Sequence, residues 1–411
     1  MAKPEVIAGL DIGSGRVTCA VGLMDPGTGL LTVLAGSSVL CRGIKGGVVL
    51  NIVEAARSIA QAIEAAEEAS KQTIYGVYLG VRGKHLQSFN NRGAYNIART
   101  DKEITAEDMA AVIENAKAIP LSADREFLHV IAQSFSLDRQ RGVPQPVGME
   151  ASLLEVEVHI VTASSAHISN LIKAVGQAGF EVVETVYSLL AVGEFLLTTE
   201  QKELGALVVD CGGQSMSLGI FAEGAIKFSK DLDLGSDFIT RDLAIGLRAT
   251  LATAEKLKIE HGLAHPKLLN GDGEIRFTGV DGRAAHTVKT STVMGIILPR
   301  VEQMFTVVGE EVSNSSFSEL VVPIGGVLTG GGALLKGMPE AAEQILNMPV
   351  RLGLAHGGLI CAPEEFLTAG YTTALALLNY SARSDHNTHP TFGRKQSVWR
   401  RKLKALVEDL F

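Results

Sequence analysis

An acidic, glycine-rich turn occurs twice in this chain, as Leu10-Asp11-Ile12-Gly13-Ser14-Gly15 near the start and as Val209-Asp210-Cys211-Gly212-Gly213-Gln214-Ser215 about halfway along. Each copy lies between two apolar runs, so each is predicted to be a hairpin whose tip offers backbone N–H groups and one carboxylate. Glycine lets the backbone approach phosphate oxygens, consecutive N–H groups form an anion nest, and Ser14 or Ser215 adds a hydroxyl. A bare carboxylate would repel phosphate. Asp11 and Asp210 therefore suit a phosphate site only with a hydrated Mg²⁺ between them, an ion that accepts carboxylates through its waters.

One such turn is ordinary punctuation between strands. A third, Val327-Leu328-Thr329-Gly330-Gly331-Gly332-Ala333-Leu334-Leu335, again reads as strand, glycine turn and helix start, a layout that lets backbone approach a base or a phosphate. Three glycine turns in this order point to a metal nucleotide held between two lobes.

Composition bounds the alternatives. With 411 residues, 46% of them hydrophobic, the chain has material for about three folding units. Cys19, Cys41, Cys211 and Cys361 are far apart and lack zinc spacing, so they are expected to be small core residues without disulfides, in reducing surroundings. Residues 1–5 leave no room for a secretory segment, and the charge-free stretch 320–335 is too short and too rich in glycine to span a bilayer. A net charge of -8 argues against a nucleic-acid surface. Positive charge gathers instead at one end, in Arg394, Lys395, Arg400, Arg401, Lys402 and Lys404.

Along the chain, Asn51 is a plausible N-cap for a helix over 52–69, followed by a strand over 74–81. Residues 82–160 change pattern: short strands near 94–97 and 130–137, a helix over 105–118 and a strand over 155–160 read as an inserted α+β unit. A helix over 165–178 stops at Gly179. One long helix is predicted over 237–260, interrupted at Gly246, with hairpin turns at 270–273 and 281–282 and a closing helix over 364–378. His129 and His159, each alone in a strand-like run, read as core residues rather than catalysts.

The set Asp11-Ile12-Gly13-Ser14-Gly15, Asp210-Cys211-Gly212-Gly213 and Leu328-Thr329-Gly330-Gly331-Gly332 resembles the phosphate-1, phosphate-2 and adenosine motifs of the actin, Hsp70 and sugar-kinase superfamily. Within it the chain is most similar to the FtsA cell-division family, with support from residues 77–85, 129–135, 158–162 and 254–258. The resemblance covers nearly the full length. It implies an actin-like, two-lobed α/β ATPase fold with duplicated ribonuclease-H-like cores, an inserted subdomain 1C and a C-terminal amphipathic helix. The expected division is subdomain 1A over 1–81 and 163–198, 1C over 82–162, subdomain 2A over 199–230 and 306–363, 2B over 231–305, a closing helix over 364–380, a linker over 381–393 and a membrane-targeting helix over 394–411.

The resemblance also implies ATP and Mg as ligands, with Asp11, Gly13, Ser14, Gly15, Asp210, Gly212, Gly213, Gln214, Ser215, Gly330, Gly331 and Gly332 around them. Glu255 and Lys258, one helical turn apart, match the pair that grips the ribose; on spacing alone they could equally be an i,i+3 ion pair. Where the family often has a further glycine, a threonine and a later aspartate at phosphate 2, this chain has Gln214, Ser215 and Ser217. The loss of that carboxylate leaves no evident general base, so binding with slow or absent hydrolysis is expected, the nucleotide acting on conformation and polymerisation. By resemblance, Arg300 would grip the acidic C-terminal peptide of FtsZ, though an arginine on a helix is commonly just solvated.

Residues 381–393 read as a polar tether. Beyond them Trp399, Leu403, Leu406 and Leu410 recur at helical spacing, Val407 and Phe411 widen the stripe, and Arg400, Arg401 and Lys402 flank it, the profile of an interfacial helix on anionic lipid. The alternative is a helix docked on the protein's own core. The whole reading is an actin-like filament on the cytoplasmic face of the plasma membrane at the division site, tethering FtsZ and meeting later division proteins through the insertion. Its rivals are a small-molecule kinase, which needs a positioned aspartate as base, and an Hsp70-like chaperone, which needs a peptide-binding domain.

Overall fold

The computed structural model describes residues 4–25, 30–280, 282, 285–321, 324–354 and 360–384. Strand β1 (Glu5–Ile12) is largely buried because both faces of its sheet are covered. Its two-residue period sends Ala8, Leu10 and Ile12 into one apolar cluster and Ile7 into another. β2 (Arg16–Met24) and β3 (Leu31–Leu40) follow antiparallel, and α1 (Ile52–Ser70) leads to β4 (Gly76–Val81), which lies parallel to β1. Asn51 caps α1 by accepting from the N–H groups of Val53 and Glu54, and Ile59 and Ile63 seat the helix on Leu10, Val21 and Leu79.

After β4 the chain builds the insertion from β5 (Gln87–Asn96), α2 (Ala106–Lys117), β6 (Arg125–Leu137), β7 (Gln140–Val143) and β8 (Leu153–Ser164). The sheet order is β5-β8-β6-β7, with Val112, Ile113 and Ala116 of α2 covering one face. β5 begins earlier than the short run predicted near residue 94, because its first half is polar and carries no apolar alternation. α3 (Ser165–Gln177) then ends at Gly179, whose φ of +96 suits glycine, and β9 (Glu181–Tyr187) joins the first sheet parallel to β4.

The second half opens with α4 (Ser188–Leu196) and then lays down β10 (Ala206–Cys211), β11 (Met216–Ala222) and β12 (Ala225–Leu232). α5 (Ser236–Leu247), α6 (Leu251–His261), the hairpin β13 (Glu274–Thr278) and β14 (Ala285–Lys289), and the long α7 (Thr290–Asn314) follow. β15 (Gly326–Thr329), α8 (Met338–Leu346), β16 (Val350–Leu352) and α9 (Thr372–Ser384) complete it. The second sheet runs β12-β11-β10-β15-β16 and the first β3-β2-β1-β4-β9, extended past β3 by Ile360–Cys361. Three antiparallel strands and two parallel ones thus occur twice in the same order, giving the duplicated ribonuclease-H-like cores of an actin-like, two-lobed fold.

Several local expectations are corrected. Residues 237–260 are two helices: Arg248 turns left-handed at φ 53 and Thr250 caps α6 by accepting from Thr253 N–H. Gly246 lies inside α5, where a side chain would press on Ile296. Asn270–Gly273 precedes β13 instead of joining two strands, and the hairpin turns around Gly282. The closing helix starts at Thr372, after a single 3₁₀ turn at Glu364–Phe366. Cys19 and Cys211 are buried, but Cys361 is exposed.

The two lobes share one apolar layer, in which Ile7, Tyr187, Leu189, Phe221, Val327 and Leu375 meet. The insertion leans on β12, the edge strand of the second sheet, and so covers an edge that would otherwise be open. Ser88 Oγ donates to Ser229 O at 2.6 Å, Asn90 Nδ2 to Lys227 O at 2.9 Å and Gln133 Nε2 to Ile226 O at 2.8 Å. His159 bridges the two parts, with Nδ1 2.6 Å from Asn90 Oδ1 and Nε2 2.9 Å from Ser229 Oγ.

Burial depresses His159 to about 3 and His129 to about 4. Both folded values lie below the ordinary 6.5, so their contribution to stability is complete above 6.5 and is lost as pH falls toward 4. His159→Gln is expected to remove a slope of up to about 1.4 kcal/mol per pH unit from urea unfolding between pH 6.5 and 4. An unchanged slope in that variant would assign the acid sensitivity elsewhere.

Candidate functional site

The strand period that divides the core also aims the two aspartates. Asp11 falls on the face of β1 that carries Ile7, and Asp210 on the face of β10 that carries Ala206 and Val208, and all three apolar residues belong to the layer shared between lobes. The hairpin tips are built alike. Asp11 pairs with Thr18 and Gly13 N–H donates to Arg16 O at 2.9 Å; Asp210 pairs with Ser217 and Gly212 N–H donates to Ser215 O at 2.9 Å. Ser14 Oγ accepts from Gly46 N–H at 2.9 Å, Gln214 is half-buried, and Ser215 is buried.

The third turn closes against the second tip. Gly330 has φ +86, and a Cβ there would overlap Asp210 Oδ1 and the Cys211 carbonyl, so only glycine lets β15 end this close to β10. Gly332 faces Cys211 Sγ and the Cβ of Ser236 at the start of α5. The N–H groups of Ser236 and Asp237 in turn donate to the carbonyls of Gly212 and Gly213 at 3.0 and 2.7 Å. Gly15 and Gly331 have open space where a side chain would project. Tip, helix start and third turn therefore form one cluster in the second lobe.

Between the aspartates the structure places a group that the sequence reading passed over. Arg82, the residue after β4, donates from Nη2 to Asp11 Oδ1 at 2.6 Å and to Thr373 Oγ1 of α9 at 2.9 Å. Its Nη1 lies 3.1 Å from Asp210 Oδ2, within ion-pair range but off a hydrogen-bonding axis, so neither Asp210 oxygen accepts a hydrogen bond from the described residues. Asp231, at the end of β12, is the second omission. Its Oδ1 accepts from Ser217 Oγ at 2.6 Å and from Gly83 N–H at 3.1 Å, and its Oδ2 from Tyr187 OH at 2.8 Å. The carboxylate missing at Ser217 is thus supplied by its cross-strand partner, already engaged by three donors.

Three carboxylates against one guanidinium leave two negative charges uncompensated. Burial would lower Arg82, but Asp11, Asp210 and Asp231 outweigh it and hold the guanidinium firmly charged. Burial raises Asp11 and Asp231 above the ordinary carboxylate value, because one shared cation offsets only part of that cost. Tyr187 is pushed up by burial and by Asp231. Both Asp210 oxygens, Arg82 Nε and Thr329 Oγ1 are buried without a hydrogen-bond partner among the described residues. Unpartnered polar atoms, open glycines and a net deficit of positive charge fit a phosphate chain that brings a divalent cation.

Lys258 is buried at 6% exposure, with Nζ 2.8 Å from Glu255 Oε2, 2.9 Å from Thr240 Oγ1 and 3.3 Å from Ser236 O. Thr240 also donates to Glu255, so the pair forms a braced network beside the second tip. Arg300 of α7 is held bidentately by Asp242 of α5, at 2.6 and 2.9 Å, and lies 5.6 Å from the Phe238 ring centroid. Trp399, Arg400, Arg401, Lys402, Leu403, Leu406, Val407, Leu410 and Phe411 lie outside the described residues, as does the tether beyond Ser384. A groove of about 640 Å³ lined by Phe305, Val312, Leu346 and Met348 contains none of the residues of the two hairpin tips.

Residues 83–162 match the SHS2 domain inserted in FtsA, and residues 207–376 match the cell division protein FtsA. FtsA of Pseudomonas aeruginosa is 35% identical over 378 residues, covering 92% of this chain and 89% of that protein. The chain belongs to the FtsA family of cell-division proteins. FtsA of Escherichia coli K12 is 29% identical over 419 residues, with 99% of this chain and 98% of that FtsA covered. Among solved structures, the PilM-PilN type IV pilus biogenesis complex superposes at a TM-score of 0.65 with 15% identity, over 92% of this chain and 98% of that one. MreB5 of Spiroplasma citri bound to ADP gives 0.55 with 12% identity over 93% and 97%. The last two likenesses are of fold, and they extend the FtsA assignment to the actin-like architecture. No helix among the described residues is long and apolar enough to cross a membrane.

Proposed function

We propose that this FtsA-family chain binds ATP with Mg between its two hairpin tips and acts as a conformational and polymerising ligand holder, not as a fast hydrolase. The observation that carries the reading is the convergence of Asp11 and Asp210 on one guanidinium across the lobes, with neither Asp210 oxygen accepting a hydrogen bond from the described residues. Gly13, Gly15, Gly212 and Gly213 would face the phosphates, Gly330 to Gly332 the adenosine, and the braced Glu255–Lys258 pair the ribose. A magnesium ion, when bound, supplies the positive charge that lets carboxylates and phosphates share one cleft. Asp231 has its oxygens occupied by Ser217, Gly83 and Tyr187, which argues against a free base and for slow turnover.

The filament would lie on the cytoplasmic face of the plasma membrane, held by the basic amphipathic stretch 394–411, and would tether FtsZ by its acidic C-terminal peptide. One tail contributes weak, reversible adhesion, and many tails on a polymer bind firmly through linkage. Arg300 could take the FtsZ peptide only by exchanging Asp242 for a carboxylate of the partner. Sedimentation with anionic vesicles, with and without ATP and FtsZ, tests the whole. Wild-type protein should pellet with vesicles and carry FtsZ down, and Trp399→Glu should stay in the supernatant while still binding a fluorescent ATP analogue. Equal pelleting of both proteins would remove the membrane role.

A further inference from the structure

Arg82 is the one cation shared by the acidic groups between the two hairpin tips among the described residues. It is 10% exposed, serves two carboxylates, feels a third, and keeps a buried Nε with no hydrogen-bond partner among the described residues. Its Nη1 lies 3.1 Å from Asp210 Oδ2, at the base of the second hairpin tip. A guanidinium matches phosphate oxygens as well as carboxylates, and a divalent cation entering with a nucleotide can take over the carboxylates it leaves. The backbone beside it is equally committed. Gly83, at φ +116, donates to Asp231, Lys84 Nζ lies 2.9 Å from Asp233, and Ser88 donates to Ser229, all on or just beyond β12.

From these contacts we infer that Arg82 is the residue that distinguishes a nucleoside triphosphate from a diphosphate, moving from the Asp11–Asp210 pair to the terminal phosphate and loosening the base of the insertion from β12 as it goes. The inference rests on the nucleotide reading above. Arg82 bridges Asp11 and Asp210 across the two lobes, and the next residue, Gly83, ties the start of the insertion to Asp231 of the second lobe through its backbone N–H. A diphosphate lacks the group that draws it away. The terminal phosphate would therefore be felt at the first turn of the insertion without any contact between the two.

Fluorescent ATP and ADP analogues titrated with Mg²⁺ into the full chain, Arg82→Ala and Arg82→Lys decide the matter. Wild type should prefer the triphosphate by about tenfold or more, Arg82→Ala should lose that preference, and Arg82→Lys should fall between. A wild-type ratio preserved in Arg82→Ala overturns the role of Arg82 and leaves nucleotide binding standing. Wild type that binds neither nucleotide removes both readings. Should Arg82→Ala fail to fold, hydrogen exchange of wild type over residues 80–88 replaces it: faster exchange with a non-hydrolysable ATP analogue than with ADP supports the inference, and identical exchange overturns it.

Discussion

Asp210→Ala is expected to weaken Mg-ATP binding by about tenfold to hundredfold, with the free protein no less stable than wild type. The two halves of that result come from the same geometry. Asp210 is 2% exposed, accepts no hydrogen bond from the described residues and shares one guanidinium with Asp11, so it is a buried carboxylate with half a counter-ion. Removing it relieves repulsion against Asp11, while Arg82 keeps its bonds to Asp11 and Thr373. A ligand that brings its own cation, by contrast, loses a carboxylate whose one ion-pair partner among the described residues is the guanidinium it shares with Asp11. Isothermal titration beside a melting curve separates the effects. A variant that melts far below wild type yet binds ATP normally would make Asp210 a structural counter-ion.

Arg82→Ala is expected to do the opposite, destabilising the free protein by about 3–5 kcal/mol at neutral pH, because it leaves Asp11, Asp210 and Asp231 together without a cation. Burial already raises Asp11 and Asp231 above 3.8, so the folded protein binds these protons more tightly than the unfolded chain. The associated stability is present below 3.8 and is lost as pH rises through the raised values. Loss of Arg82 raises them further. The deficit of the variant should therefore shrink as urea unfolding is moved from pH 7.5 to about pH 5, and millimolar Mg²⁺ without nucleotide should raise its midpoint more than that of wild type. Equal deficits at both pH values and no response to Mg²⁺ would show that Arg82 contributes packing rather than charge.

What the residues announced by themselves was local. Two strand-turn-strand repeats with an aspartate before the glycines, the Asn51 cap, the stop at Gly179 and the glycine run at 330–332 all depend on backbone φ, hydrogen bonds across a few residues and the periods of strand and helix. Such signals survive without knowing the fold, and they marked the two hairpin tips and the third turn that the structure brings together. The break at Arg248 escaped because a non-glycine residue adopts the left-handed turn there, while Gly246, the visible candidate, is used for packing against Ile296. Beyond Ser384 the amphipathic stripe remains a statement about the sequence alone.

Which charges meet was decided only by tertiary structure. Arg82 is a single cation after an apolar strand, and Asp231 a single acid at the end of another, with nothing in their own neighbourhoods to mark them. They come together because two sheets of matching order pack on one shared layer, which turns Asp11 and Asp210 inward, and because the chain leaving β4 meets β12 where Gly83 donates to Asp231. Periodicity follows from the chain's covalent geometry and can be counted along it. Electrostatic partnership depends on distances between residues remote in sequence, and those exist only once the hydrophobic layer has fixed the lobes.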